Sequence, residues 1–189
     1  MEMKGFVELS GLYKIIELIA PRLPYHNYEH LVDVASSCNR YAQMEGVNYQ
    51  NTLTLVAAGL LHDIFYVIGR KDNEEISAEI SNNILSHLGF SQKQIEEVAR
   101  LIMATKHQGD PQDLLEMIIR DSDLDSLGRD DFFERSEHLR KEWKIDRKEW
   151  YIQMQPTYLS QVRYYTKSAR ERREDKLKKN LEKIRNLKW

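Results

Sequence analysis

The segment from Thr52 to Ile68 is apolar almost all round, reading LVAAGLLHDIFYVIG from Leu55 onward. Such a run predicts a helix buried in the middle of a domain, with other elements packed on every side. Two titratable residues, His62 and Asp63, fall inside it. An unpaired charge in an apolar interior is penalised by several kcal/mol, so both side chains need partners brought by other parts of the chain.

The rest of the chain supplies helices to do this. Its four prolines and eight glycines stand mostly at the ends of apolar-periodic segments, and no alternating strand pattern is present, so the fold class predicted is all-α. Helical segments are expected over about Leu9 to Ala20, Asn27 to Met44 with Gly46 as a cap, and Thr52 to Ile68 before Gly69. Glu74 to Leu88 and Ser91 to Lys106 follow, the latter opened by a capping box of Ser91 and Gln94. Pro111, read as a first helical position, opens Asp113 to about Leu127, which ends at Gly128. Asp130 to Trp143 and Arg147 to Leu187 are more polar, with a break or kink expected at Pro156.

A length of 189 residues fits one domain, residues 1–189, with the motifs in 24–130 and a C-terminal helical extension over 146–189. With 41% hydrophobic and 31% charged residues and a formal charge of -2, neither disorder nor a general attraction to nucleic acid is expected. No apolar run reaches the roughly 18 residues of a membrane span, and the opening residues lack the order of a signal peptide, so no membrane partner and a cytoplasmic location are expected. Lys167 to Trp189 carries ten Lys/Arg against four Asp/Glu. This stretch reads as a solvated helix packed through Leu177, Leu181, Ile184 and Leu187.

Cys38 is the only cysteine, so any metal must be held by His, Asp or Glu. Imidazole and carboxylate are natural ligands of a divalent ion, and such an ion would satisfy His62 and Asp63 together. The remaining candidates are His26 and His30, four residues apart and so on one helix face, His107, and the acidic run Asp121, Asp123 and Asp125. His87 and His138 sit among polar residues and read as surface groups.

The order His30, then His62-Asp63, then an aspartate about sixty residues on resembles the HD-domain superfamily of metal-dependent phosphohydrolases, whose signature is H…HD…D on an all-α scaffold. "YHNYEHLVDV" is similar to a segment of cyclic nucleotide phosphodiesterases, and "HDIFY…DNEEISA…ATKH…DSDLDSLG" resembles a compact bacterial group of predicted HD phosphohydrolases. The resemblance implies a compact HD-domain bundle in which His30, His62, Asp63 and Asp123 bind the metal. Asp121 and Asp123 stand about 200° apart on a helix, so only one can face the site. The family pattern matches Ser122-Asp123-Leu124 and points to Asp123.

The same resemblance implies that His26 donates a proton to the leaving oxygen, with Asp63 also in the catalytic set. Glu74 is a further candidate, to polarise a water or reach a second cation. Acidic residues also suit a helix start on dipole grounds, the plain reading of Glu74 and Glu75. His107 is the candidate for a second metal site, but histidines are few here and one divalent ion (Mn, Ni, Mg, Fe, Co or Zn) is expected. The implied activity is hydrolysis of a small phosphorylated substrate, a nucleotide or a phosphate monoester. A nucleotide-binding or regulatory HD module without hydrolysis, and a di-iron oxygenase-type protein, are the alternatives. Nucleic acid is not an expected partner, and a homodimer is left open.

Overall fold

The structure is a computed structural model that describes residues 2–106 and 109–187. It is all-α: α1 (Glu2–Ile19), α2 (Tyr28–Met44), α3 (Tyr49–Leu61), α4 (Asn73–His87), α5 (Gln92–Ala104) and α6 (Leu114–Asp123) lead into a 3-10 turn over Asp125–Gly128. Then come α7 (Phe132–Trp143), α8 (Arg147–Glu149), a π-helical turn (Trp150–Met154), α9 (Gln155–Gln161) and α10 (Lys167–Arg185). Among the described residues the sole β feature is an isolated antiparallel bridge between Arg22 and Asn27, and no helix is long and apolar enough to cross a membrane.

The apolar run does form the centre. Every residue of α3 from Leu53 to Leu61 is buried, and the core around it takes Leu12 and Ile16 from α1, Leu31 and Tyr41 from α2, Leu101 and Ile102 from α5, and Ile118 and Ile119 from α6. α2 and α3 approach closely because Gly59 has no side chain: a Cβ there would stand 2.8 Å from the Ala35 Cα. This contact sets the start of α2 beside the end of α3.

Local signals account for several boundaries. Asn27 caps α2 through the His30 amide, and Ser91 and Gln94 form the reciprocal box that opens α5. Gly46 and Gly89 lie just past helix ends at φ 71° and 82°, in the left-handed region where a Cβ would strain the backbone.

Three expectations are corrected. α3 stops at Leu61, so His62 and Asp63 stand at its end rather than inside it. Side chains of α4 compete for the next stretch of backbone: Ser77 Oγ accepts from Phe65 N and donates to Phe65 O, while Asn73 does the same for Val67. With those amides and carbonyls satisfied, the segment has no need of helical bonds. Pro111 lies outside any helix, because Asp113 is the cap of α6 and accepts from Glu116 N. Pro156 lies inside a continuous helical stretch over residues 147–161, directly after the π-helical turn, and the break falls instead at residues 162–166.

The buried carboxylate of Asp121 explains that later break. It accepts from Tyr165 N, Thr166 N and Thr166 Oγ1, holding the chain extended just before α10. α10 then packs on the 3-10 turn, where a Cβ on Gly128 would stand 2.6 Å from Arg173, and Arg173 donates two hydrogen bonds to Asp125. Leu177 and Ile184 are buried in this contact and Leu181 is partly so, whereas Leu187 is exposed.

Candidate metal centre

Four side chains from three parts of the chain meet at the end of α3. His30 Nε2 on α2 lies 3.3 Å from His62 Nε2, which in turn lies 3.1 Å from Asp63 Oδ2 and 3.4 Å from Asp123 Oδ1 at the end of α6. His30 Nε2 is 3.6 Å from Asp63 Oδ2 and 3.7 Å from Asp123 Oδ1. Ligands held at about 2.0–2.2 Å from one ion stand about 3.0–3.6 Å from one another, so this spacing suits a shared cation. Two overlapping sets have the geometry for one: His30, His62 and Asp123, and His26, His30 and Asp63.

His62 caps α3 with helical angles, φ -59° and ψ -38°, and Asp63 follows it in the turn that ends the helix, so both reach the cluster from one short stretch of backbone. His62 Nδ1–H donates to the Gly59 carbonyl at 2.9 Å, which fixes the tautomer and leaves Nε2 with its lone pair facing the cluster.

Asp121 points elsewhere, toward the Tyr165 and Thr166 donors before α10. Burial pushes its carboxyl up to about 6, against the lowering effect of the Thr166 and Tyr165 donors. Burial also opposes charge on His62 and Asp63, yet each favours the other's charged form, so the imidazole is raised and the carboxyl lowered. His30 is lowered by burial, with Asp63 partly offsetting that effect.

His26 stands at the edge of the cluster, its Nε2 3.6 Å from Asp63 Oδ2. Its ring stacks on Tyr66 with centroids 3.5 Å apart, and its Nδ1 lies 2.5 Å from Glu142 Oε1. Glu142 is buried on α7 and also accepts from the Tyr25 and His26 amides. Sequence reasoning missed it: within "RKEWK" it looks like one more charge on a solvated helix, and nothing local links it to residue 26.

Glu74 lines the same cavity as His62, Asp63 and Asp123, a space of about 320 Å³ walled mainly by aromatic and aliphatic groups. Gln155, Trp143 and Tyr158 also reach this wall and were not among the candidates. Lys106 pairs with Glu75 and Arg70 with Asp72, while His107 lies outside the described residues.

Comparison with protein families matches the HD domain model over residues 27–127. The chain belongs to the HD-domain family. Its H…HD…D pattern and its all-α bundle are those of that family, whose members are generally metal-dependent hydrolases. Comparison with curated proteins returns no match. Among solved structures, this HD-domain protein is similar to Bacillus subtilis YpgQ, determined in complex with ADP: TM-score 0.74 at 17% identity, covering 96% of this chain and 94% of that one. At that identity the likeness is one of fold.

Proposed function

We propose that this HD-domain protein is a metal-dependent phosphohydrolase acting on a small phosphate ester, with one divalent ion held by His30, His62, Asp63 and Asp123. The observation that carries the reading is the convergence of two imidazole nitrogens 3.3 Å apart, each 3.1–3.7 Å from an Asp63 and an Asp123 oxygen, at the edge of a cavity. Two carboxylates balance a +2 charge, so the loaded site would be neutral and open to an anionic substrate. When bound, a divalent cation lowers the pKa of a water and polarises a phosphoryl oxygen.

The protein's own residues then divide the remaining work. His62 Nε2 is aimed by its Gly59 hydrogen bond, and Asp63 and Asp123 approach from different elements, so the donor set is held before any ligand arrives. His26, with Nδ1–H donating to Glu142, would present Nε2–H to the departing ester oxygen and act as the general acid. The Glu142 carboxylate fixes the orientation of the ring for this role. Glu74, on the cavity wall, would orient the attacking water or the substrate. YpgQ, which shares this fold, was determined in complex with ADP, and that supports a phosphorylated ligand here.

The test is a panel of nucleotides and simple phosphate monoesters, assayed for phosphate release with Mn, Ni, Co, Mg and Zn in turn, beside Asp63→Ala. Release that needs a metal and vanishes in the variant supports the reading. A folded protein that releases no phosphate with any ion would leave the regulatory module in its place.

A further inference from the structure

We propose that Arg173 of α10, acting through Asp125, positions the metal ligand Asp123, so that the C-terminal helix is a working part of the metal centre. The proposal rests on the reading in which Asp123 holds the ion. Arg173 lies beyond residues 27–127, the stretch that the HD domain model matches.

Asp123 is the last residue of α6, and Leu124 caps that helix before the 3-10 turn over Asp125–Gly128. On its N-terminal side the ligand is fixed by the helix itself. On its C-terminal side it depends on where the turn is held, because helix ends fray unless their last groups are tied down.

The segment from Tyr164 to Asn180 ties the turn down. Tyr164 Oη donates to the Leu124 carbonyl at 3.0 Å, and Asn180 Nδ2 donates to the Leu127 and Arg129 carbonyls at 3.0 and 3.1 Å. Arg173 Nε and Nη2 donate to the two oxygens of Asp125 at 2.7 and 2.9 Å. Asp125 is 1% exposed and also accepts from Tyr41 Oη on α2, the helix that carries His30. One carboxylate thus joins α10, the turn that follows Asp123 and the helix of a second ligand.

Packing alone does not call for such a group. Leu177 and Ile184 already bury the apolar face of α10, and apolar side chains of similar volume often replace a buried ion pair without loss of stability. What a bidentate arginine–carboxylate pair adds is direction, since two parallel bonds fix distance and angle together.

Charge supplies a second reason. Asp121, Asp123 and Asp125 crowd the C-terminus of α6, the end of a helix that disfavours anions. Arg173 neutralises Asp125, with Arg40 and Arg129 each 3.6 Å from the same carboxylate. Asp123 is then the carboxylate of this run that meets the ion.

The experiment titrates Mn calorimetrically into wild type, Arg173→Met, Arg173→Lys and Leu85→Ala, and records the electron paramagnetic resonance spectrum of each at saturating Mn. Leu85 is fully buried at the opposite end of α4 from Glu74, so its truncation weakens the core away from the site. Arg173→Met should bind Mn roughly ten-fold more weakly and with an altered spectrum, as when a partner of a ligating group is removed. Arg173→Lys, which keeps the charge but not the fork, should fall between that variant and wild type. Leu85→Ala should melt earlier yet keep wild-type affinity and spectrum. Should Arg173→Met not fold, Arg173→Lys and Tyr41→Phe, each of which loosens the hold on Asp125, carry the same comparison. Folded Arg173 variants that melt earlier but bind Mn as wild type does would overturn the proposal and leave the phosphohydrolase reading standing. The expected Mn effects in a protein that releases no phosphate would overturn hydrolysis and leave the positioning role. Mn affinity that survives Asp123→Ala would overturn both the ligand assignment and the proposal.

Discussion

Glu142 holds His26 by two hydrogen bonds, although the two residues are 116 positions apart: it accepts from the ring Nδ1 at 2.5 Å and the His26 amide at 3.0 Å, and from the preceding Tyr25 amide at 2.8 Å. The imidazole is thereby fixed in position, with Nε2 facing Asp63. One ring face is covered by Tyr66. A histidine so placed is held rigidly, as the proton donor of the proposed reaction would have to be.

If His26 delivers the proton, His26→Ala should keep its metal and lose about 10²- to 10⁴-fold in kcat, the usual contribution of a general acid. Glu142→Gln should fall between wild type and His26→Ala, with KM changed far less than kcat. Metal content and steady-state kinetics on the same preparations check both. Loss of bound metal in His26→Ala would reassign that residue to the ligand set.

Glu142 also gives a pH signature to the fold. Burial raises its carboxyl, but the His26 ring and the two backbone amides outweigh that and hold it below its ordinary value of 4.5. A carboxyl lowered on folding adds stability above the unfolded value and loses it as pH falls through the folded value. Urea melts between pH 7 and pH 3 should therefore show wild type losing stability below about pH 4.5 more steeply than Glu142→Gln. Identical slopes would show that the pair contributes nothing to acid sensitivity.

Asp121 and Asp123 should separate cleanly. Asp123→Ala should lose metal, and with it the thermal stabilisation that excess Mn gives wild type, about 2.7 kcal/mol at a hundred times Kd. Asp121→Ala should keep the metal response but destabilise the apo protein by about 1–3 kcal/mol, because the buried Tyr165 and Thr166 donors lose their acceptor. Thermal melts with and without Mn read both effects. A swapped result would move the ligand to Asp121.

Gly59→Ala tests the contact that brings the two histidines together. Its Cβ would meet the Ala35 backbone at 2.8 Å and the Cys38 sulfur at 3.2 Å, so α2 and α3 must separate. A cost of about 1–3 kcal/mol is expected from overpacking, together with weaker metal binding as His30 moves from His62. Chemical denaturation and metal titration of the variant measure the two consequences.

Much of the scaffold was legible in the chain because its signals are local. Asn27, Ser91 and Gly89 declare helix ends within a turn of themselves, and the unbroken apolar face of Leu55 to Leu61 can only belong to a central element. His62 and Asp63 stood out for the same reason, as polar residues in an apolar run. The end of α3 was not legible, since it depends on Ser77 and Asn73 reaching back across a bend.

By itself, then, the sequence determined which residues are suited to a metal and that helices would carry them, because residue type and helical period are properties of neighbours in the chain. Only the tertiary structure decided which aspartate of the acidic run faces His62, what grips His26, and which amide lines the cavity. Asp123, Glu142 and Gln155 gain their surroundings from elements far away in sequence, and periodicity fixes the face a residue occupies on its own helix but not what packs against that face.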